Sequence, residues 1–270
     1  MSAPGSPRPG DPRPVDDADL RRVATAPHLL VVSDFDGVLA PFVDDPRDAA
    51  AVPESMAALE RLAGLPATTV ALVSGRGRDD LAARSGASTA VVLVGGHGGE
   101  WAEGSTVELT EDDRRRHAGL VAELEAIARD VPGSSVETKT SSAALHYRTV
   151  PEPADRERAR RAALEGPGSR DDLFVTAGKN VVEIAVVEAN KGTALLELAE
   201  RVRAGGGRPV TVFCGDDVTD ERGFAVLGEH DLSVKVGEGE TLARRRVADI
   251  PAVTRLYGRL AELRAAHLGG

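Results

Sequence analysis

The chain has 270 residues and a single cysteine, Cys214. One thiol cannot close an intramolecular disulfide, and zinc sites built on several cysteines are excluded with it. Long apolar runs are also missing. None approaches the ~18 residues that a bilayer-crossing helix needs, which speaks against a membrane-spanning protein. The opening stretch, MSAPGSPRPGDPRPVDD, has no apolar segment of the secretory kind, and a cytoplasmic protein is expected. Basic residues are the minority: 33 Lys and Arg face 43 Asp and Glu, a formal net charge of −10. Such a chain lacks the electrostatic footprint of a nucleic-acid binder and is not built for an anionic membrane. Small phosphorylated substrates stay open, because a site can be locally basic or hold a metal. What is present is ordinary for a soluble globular protein: 41% hydrophobic and 28% charged residues, on a length that suits one large domain or two modest ones.

Residues 1–17 carry five prolines among small and charged residues and are expected to form a disordered tail, with a short helix opening near Asp16. Strands rich in Val, Leu and Ala then alternate with helical stretches. Leu29–Val32, 67–74 and 89–96 read as buried parallel strands, with helices over 53–64 and 78–86 between them. The texture changes after residue 107. A charged helix over 111–130 precedes strands at 134–140 and 143–150 that alternate polar and apolar. A helix over 153–165 and a hairpin over 171–188, turning at Gly178-Lys179, follow. Alternation of strand and helix returns with a helix over 191–204, a buried strand over 208–217, a helix over 219–228, a strand over 231–237 and a helix over 252–266. The expectation is a doubly wound α/β core domain, 18–107 and 189–270, interrupted by a small α+β domain, 108–188.

Two acidic turns stand at strand ends, where open parallel sheets bind ligands. The first is Asp34-Phe35-Asp36-Gly37. The second, Gly215-Asp216-Asp217-Val218-Thr219-Asp220-Glu221, holds four acids in six residues. If the two strands are neighbours, their carboxylates face one point and repel unless a cation lies among them. A hard ion such as Mg2+ prefers this donor type. Helix capping accounts equally well for Asp220 and Glu221, but not for Asp216 and Asp217. Ser74-Gly75-Arg76 closes another strand, either as a structural turn or as a hydroxyl and N–H cradle for phosphate. Lys191 opens a helix, where the dipole disfavours a cation. It is either solvated or faces something anionic. Together these groups could attack phosphorus with one Asp, move a proton with another and hold phosphoryl oxygens with Ser and Lys.

These four motifs, in this order, resemble the haloacid dehalogenase (HAD) superfamily of phosphatases. The insertion resembles that superfamily's C2-type cap on a Rossmann-like core. SDFDGVLAPF, ALVSGR, GGHGGE, VETK, ALHYR, GKNVVEI, NKGTAL and GDDVTDE together resemble the trehalose-6-phosphate phosphatases over roughly residues 29–265.

The resemblance implies roles. Asp34 would be the nucleophile that forms an aspartyl-phosphate, and Asp36 the acid that protonates the leaving sugar and then activates water. Asp34, the backbone carbonyl of Asp36, and Asp216 would coordinate Mg2+. Asp217 belongs to the same metal site, and Asp220 supports it. Ser74, Gly75, Arg76 and Lys191 would surround the phosphate. His97, Glu137, Lys139, Arg148, Lys179 and Glu183 match substrate-contacting positions, whereas Cys214, Trp101 and Tyr147 read as packing. Two departures stand out. Glu183-Ile184-Ala185-Val186 replaces a common Glu-Ile-Arg-Pro, and Val38 replaces a common Thr. The implied partner is a small-molecule sugar phosphate: trehalose 6-phosphate first, another sugar or pseudo-disaccharide phosphate second. A monomer suits a mobile cap. A non-catalytic sugar-phosphate-binding partner and a phosphoacceptor receiver domain are the rivals from other classes, and the intact pair of acids at 34 and 36 argues against both.

Overall fold

The computed structural model describes residues 12–43, 45–101, 109–178, 180–187 and 189–269. The chain divides into two compact units, Met1–Ala102 with Asn190–Gly270, and Glu103–Ala189.

In the first unit the elements run β1 (Arg13–Pro14), α1 (Asp17–Ala24), β2 (His28–Ser33), α2 (Pro53–Ala63), β3 (Thr68–Val73), α3 (Arg78–Ser85) and β4 (Val91–Val94). The second unit contributes α4 (Glu111–Asp130), β5 (Ser135–Thr138), β6 (Ser142–His146), α5 (Pro153–Glu165), β7 (Phe174–Gly178) and β8 (Val181–Ala185). The chain returns to the first unit with α6 (Lys191–Ala204), β9 (Pro209–Gly215), α7 (Glu221–Ala225), β10 (Leu232–Val236), β11 (Arg245–Val247) and α8 (Ile250–Gly269).

The first unit is built on one parallel sheet, ordered β1-β11-β10-β9-β2-β3-β4. Its central strands are apolar at consecutive positions because both faces are covered. Leu29, Val31, Val70, Leu72, Val212 and Cys214 point to the face packed by α1, α2 and α8. Leu30, Val32, Ala71, Val73 and Phe213 point to the opposite face, under Leu195 and Leu198 of α6 and Phe224 of α7. From β2 the chain steps to β3 and β4 on one side, then re-enters at β9 on the other. The order therefore reverses between β2 and β9, and a crevice opens beyond their carboxyl ends. Ser33 pairs in register with Cys214 and with Leu72, so the loops carrying Asp34, Ser74 and Asp216 leave the sheet side by side.

Three details differ from the expectation. The tail does not extend to residue 17: Arg13 and Pro14 pair with Arg245 and Arg246 at the sheet edge, and Asp16 caps α1. A proline, lacking an N–H, is tolerated on such an edge strand. Residues 1–11 lie outside the described residues. The short strand β11, between β1 and β10, carries too many arginines to read as a buried strand. The helix expected over 219–228 is shorter, a single 3-10 turn over Val218–Asp220 followed by α7.

The second unit is a four-stranded antiparallel sheet, β5-β6-β8-β7. Ala143, Leu145, Val182 and Ile184 pack on Leu120 and Leu124 of α4 and on Ala159 and Ala163 of α5. On the opposite face Glu137, Ala144, Glu183 and Thr176 form one cross-strand row. Among the described residues no helix is long and apolar enough to cross a membrane.

Candidate active site

Lys191 is the first residue of α6, and its ammonium is enclosed. It lies 2.8 Å from Asp34 Oδ1 and 2.7 Å from Asp220 Oδ1. The solvated alternative for this lysine is thereby overturned. Burial works against its charge, but Asp34 and Asp220 outweigh that and hold the ammonium above the ordinary lysine range. Asp220 also anchors the second acidic turn: its Oδ2 accepts from the backbone N–H groups of Asp216 and Asp217, each at 2.9 Å.

Asp34, Asp216 and Asp220 converge, with one carboxylate oxygen from each lying within 4.8 Å of the other two. Burial pushes the Asp34 carboxyl well above its usual range; Lys191 opposes this, and Asp220 and Asp216 add to it. Asp216 is pushed up to about 6 by burial and by Asp220. More negative charge is gathered here than Lys191 neutralises. Asp216 Oδ1 is buried and has no hydrogen-bond partner, whereas both oxygens of Asp220 are engaged. The free donors are thus hard carboxylate oxygens from Asp34 and Asp216. These residues fit a hard divalent cation.

The remaining core residues sort themselves around this cluster. Asp217 is exposed, and its carboxylate accepts from Val218 N at 2.7 Å. It caps the 3-10 turn and is not among the converging carboxylates. Asp36 turns away from the cluster toward Arg76, whose Nε and Nη2 donate to its two oxygens at 2.7 Å each. Arg76 was expected beside the phosphate; the structure places it on Asp36. Ser74 is buried, its hydroxyl accepting from Arg76 N at 3.2 Å and its carbonyl from His97 N at 2.9 Å. The His97 imidazole packs onto Gly75 so closely that a β carbon there would stand 2.5 Å from Cε1. Gly75 and His97 therefore shape the loop beside Ser74. Cys214 and Trp101 are buried, as packing residues should be.

In the second unit Lys139 Nζ donates to both oxygens of Glu183 at 3.1 Å, and Ser142 Oγ donates to the same carboxylate at 2.7 Å. Glu137 pairs with His146 at 2.9 Å. Arg148 is exposed, and Tyr147 is buried. Lys179 lies outside the described residues. Ala185 lies on the same sheet face as Glu183 two residues away, while Val186 is buried.

Two residues escaped the sequence reading. Lys235 of β10 is buried and donates to the backbone carbonyl of Asp216. Its signal was a lone charge inside an apolar strand. Asp80 of α3 accepts from Arg76 Nη1 at 2.8 Å. On a charged helix it looked like any solvated acid.

The family model for trehalose-phosphatase matches residues 32–249. A bifunctional trehalose-6-phosphate synthase/phosphatase of Thermoproteus tenax is 38% identical over 251 residues, covering 88% of this chain and 32% of that protein. A trehalose-phosphate phosphatase of Mycobacterium marinum is 33% identical over 256 residues, covering 88% of this chain and 62% of the relative. The chain thus spans about a third of the one and under two thirds of the other. The C-terminal domain of Candida albicans trehalose-6-phosphate phosphatase superposes with a TM-score of 0.72 at 21% identity, over 94% of this chain and 99% of that one. That likeness establishes the fold, a parallel α/β unit interrupted in sequence by a small α+β unit. The chain belongs to the trehalose-phosphatase family.

Proposed function

We propose that this chain is a Mg2+-dependent phosphatase that hydrolyses trehalose 6-phosphate to trehalose and phosphate. The observation that carries the reading is the separation of two neighbouring acids. Asp34 lies in the buried Lys191–Asp216–Asp220 cluster, and Asp36 stands apart from it on Arg76. A nucleophile and an acid on one loop need different surroundings, and these two have them.

In this mechanism an Asp34 carboxylate oxygen attacks phosphorus, and the bond from phosphorus to the sugar oxygen breaks. Asp36 gives a proton to the departing oxygen. Water then attacks the aspartyl-phosphate and gives a proton to the Asp36 carboxylate. The bond from phosphorus to Asp34 breaks, releasing phosphate and restoring the carboxylate. Lys191 and the Ser74 hydroxyl hold phosphoryl oxygens, and Lys191 also keeps Asp34 in place. Asp34, the Asp36 carbonyl and Asp216 would hold Mg2+, which when bound would supply positive charge against the phosphoryl oxygens. Glu183, Lys139 and Glu137 present directed hydrogen-bonding groups for sugar hydroxyls.

Ala185 supports a second reading. Where many relatives carry arginine it offers no polar group, which favours a different sugar or a pseudo-disaccharide on the same phosphate chemistry. The deciding test is phosphate release with Mg2+ from trehalose 6-phosphate, sucrose 6-phosphate, glucose 6-phosphate and a pseudo-disaccharide phosphate. Preference for the first supports the primary reading. Preference for another ester transfers the assignment to that sugar. No release from any of them removes the phosphatase reading.

A further inference from the structure

The Arg76 guanidinium is held from every side. Its Nε and Nη2 engage both oxygens of Asp36, and its Nη1 donates to Asp80 at 2.8 Å and to the Pro46 carbonyl at 2.9 Å. Its plane lies over the Phe35 ring, 5.4 Å from the centroid. Asp80 is held in turn by Arg84 at 3.1 Å. The Arg76 side chain is only 12% exposed, whereas that of Asp36 is 30% exposed. A two-point fork fixes a carboxylate in direction as well as position, which a single ammonium contact does not. The fork leaves a lone pair on each Asp36 oxygen, so it aims the group without covering it. It also keeps the Asp36 carboxylate out of the converging cluster of Asp34, Asp216 and Asp220.

We propose that Arg76 is a positioning residue that aims Asp36 at the leaving oxygen, and that Asp80 holds Arg76 in that role. The assignment rests on the phosphatase reading above. It differs from a phosphate-binding role for Arg76 in its consequences. A phosphate ligand touches every substrate alike. A residue that aims the acid affects only esters whose leaving group needs a proton. A sugar alkoxide needs one, and p-nitrophenolate does not.

The test compares wild type, Arg76→Lys and Asp80→Asn with two esters, after thermal unfolding has shown that each variant folds. With trehalose 6-phosphate, or the best ester of the panel, Arg76→Lys should lower kcat by about 100-fold, the scale of a misaligned acid, with KM within about threefold. Asp80→Asn should lower it by about 10-fold in the same pattern, since the fork stays but its anchor goes. With p-nitrophenyl phosphate the first-turnover burst of p-nitrophenolate should change by less than about threefold in both variants, because this bond breaks without the acid. Equal losses on both esters, or a rise in KM and in the inhibition constant of inorganic phosphate, would overturn the proposal in favour of phosphate binding. A wild-type protein inert toward both esters would instead overturn the phosphatase reading, and the proposal with it.

Discussion

The Asp216 carboxylate rests directly on the α carbon of Gly37: a β carbon there would lie 2.9 Å from Oδ1 and nearer still to Oδ2. Gly37 has φ of +76°, a conformation that other residues adopt only at a cost of roughly 1–2 kcal/mol. The turn after β2 can thus tuck beneath the turn after β9, and this brings Asp34 and Asp216 within reach of one cation. Gly37→Ala should lower the unfolding free energy by about 2 kcal/mol, through backbone strain and displacement of Asp216. It should also weaken Mg2+ binding by about tenfold or more. Urea unfolding and titration calorimetry read the two effects. Wild-type Mg2+ affinity in this variant would contradict the role given to the close approach.

Lys191 is the cation between Asp34 and Asp220. Lys191→Met keeps the length of the side chain and removes its charge, leaving two buried carboxylates to repel each other. Breaking a buried pair in this way costs about 3–5 kcal/mol. Urea unfolding at pH 7 should show a loss of that order, and turnover should disappear. A change below about 1 kcal/mol would mean that the Asp34 and Asp220 carboxylates find other partners.

Much of this site was legible because its signals are local. Asp34, Asp36, Asp216 and Ser74 each follow an apolar strand, and burial on both faces makes such strands easy to recognise. The convergence of Asp34 with Asp216 followed from strand order alone, once β2 and β9 were taken as neighbours. The division of labour among the acids was not legible. Asp217 and Asp220 are equally acidic and three residues apart, yet one is exposed while the other is sealed against Lys191. Only the course of the turn decides which is which. Arg76 lay under the same ambiguity, since the motif fixes where its backbone sits but not which anion its long side chain reaches. The edge strand β1 and its neighbour β11 were hidden for another reason: arginines and a proline suit the margin of a sheet but give no apolar signal.

Arg264 of α8 should matter for stability and not for catalysis. It is fully buried, and its guanidinium donates to the carbonyls of Ala24 at 2.9 Å, Ala26 at 2.5 Å and Ala67 at 2.8 Å. These carbonyls lie just before β2 and β3, at the amino ends of the strands, opposite the candidate site. Arg264→Met would take this donor from all three; the Ala67 carbonyl keeps the Leu29 N–H at 3.0 Å, while those of Ala24 and Ala26 lose their guanidinium partner, each at a cost of roughly 1–3 kcal/mol. Urea unfolding should show a loss of about 3 kcal/mol or more. The kcat of the folded fraction should stay within about twofold of wild type, because nothing at the carboxyl ends changes.

The acidic cluster sets the pH dependence of metal binding and of stability in opposite senses. In the metal-free protein Asp216 holds its proton up to about pH 6, against 3.8 for an ordinary aspartate, because burial and Asp220 disfavour its charge. Asp34 is raised as well, by burial first. Between those two pH values the folded chain binds more protons than the unfolded one. The contribution of Asp216 to the stability of the metal-free protein is therefore fully present below about pH 4 and is lost as pH rises through about 6. A divalent cation competes with the same protons. Its affinity should fall as pH drops below about 6, and binding there should release protons. Calorimetry in buffers of different ionisation enthalpy measures that release directly. Asp216→Asn should abolish most of it, weaken Mg2+ binding and flatten the fall in metal-free stability between pH 4 and 6. Unchanged proton release in this variant would remove Asp216 from the set of groups that carry the coupling.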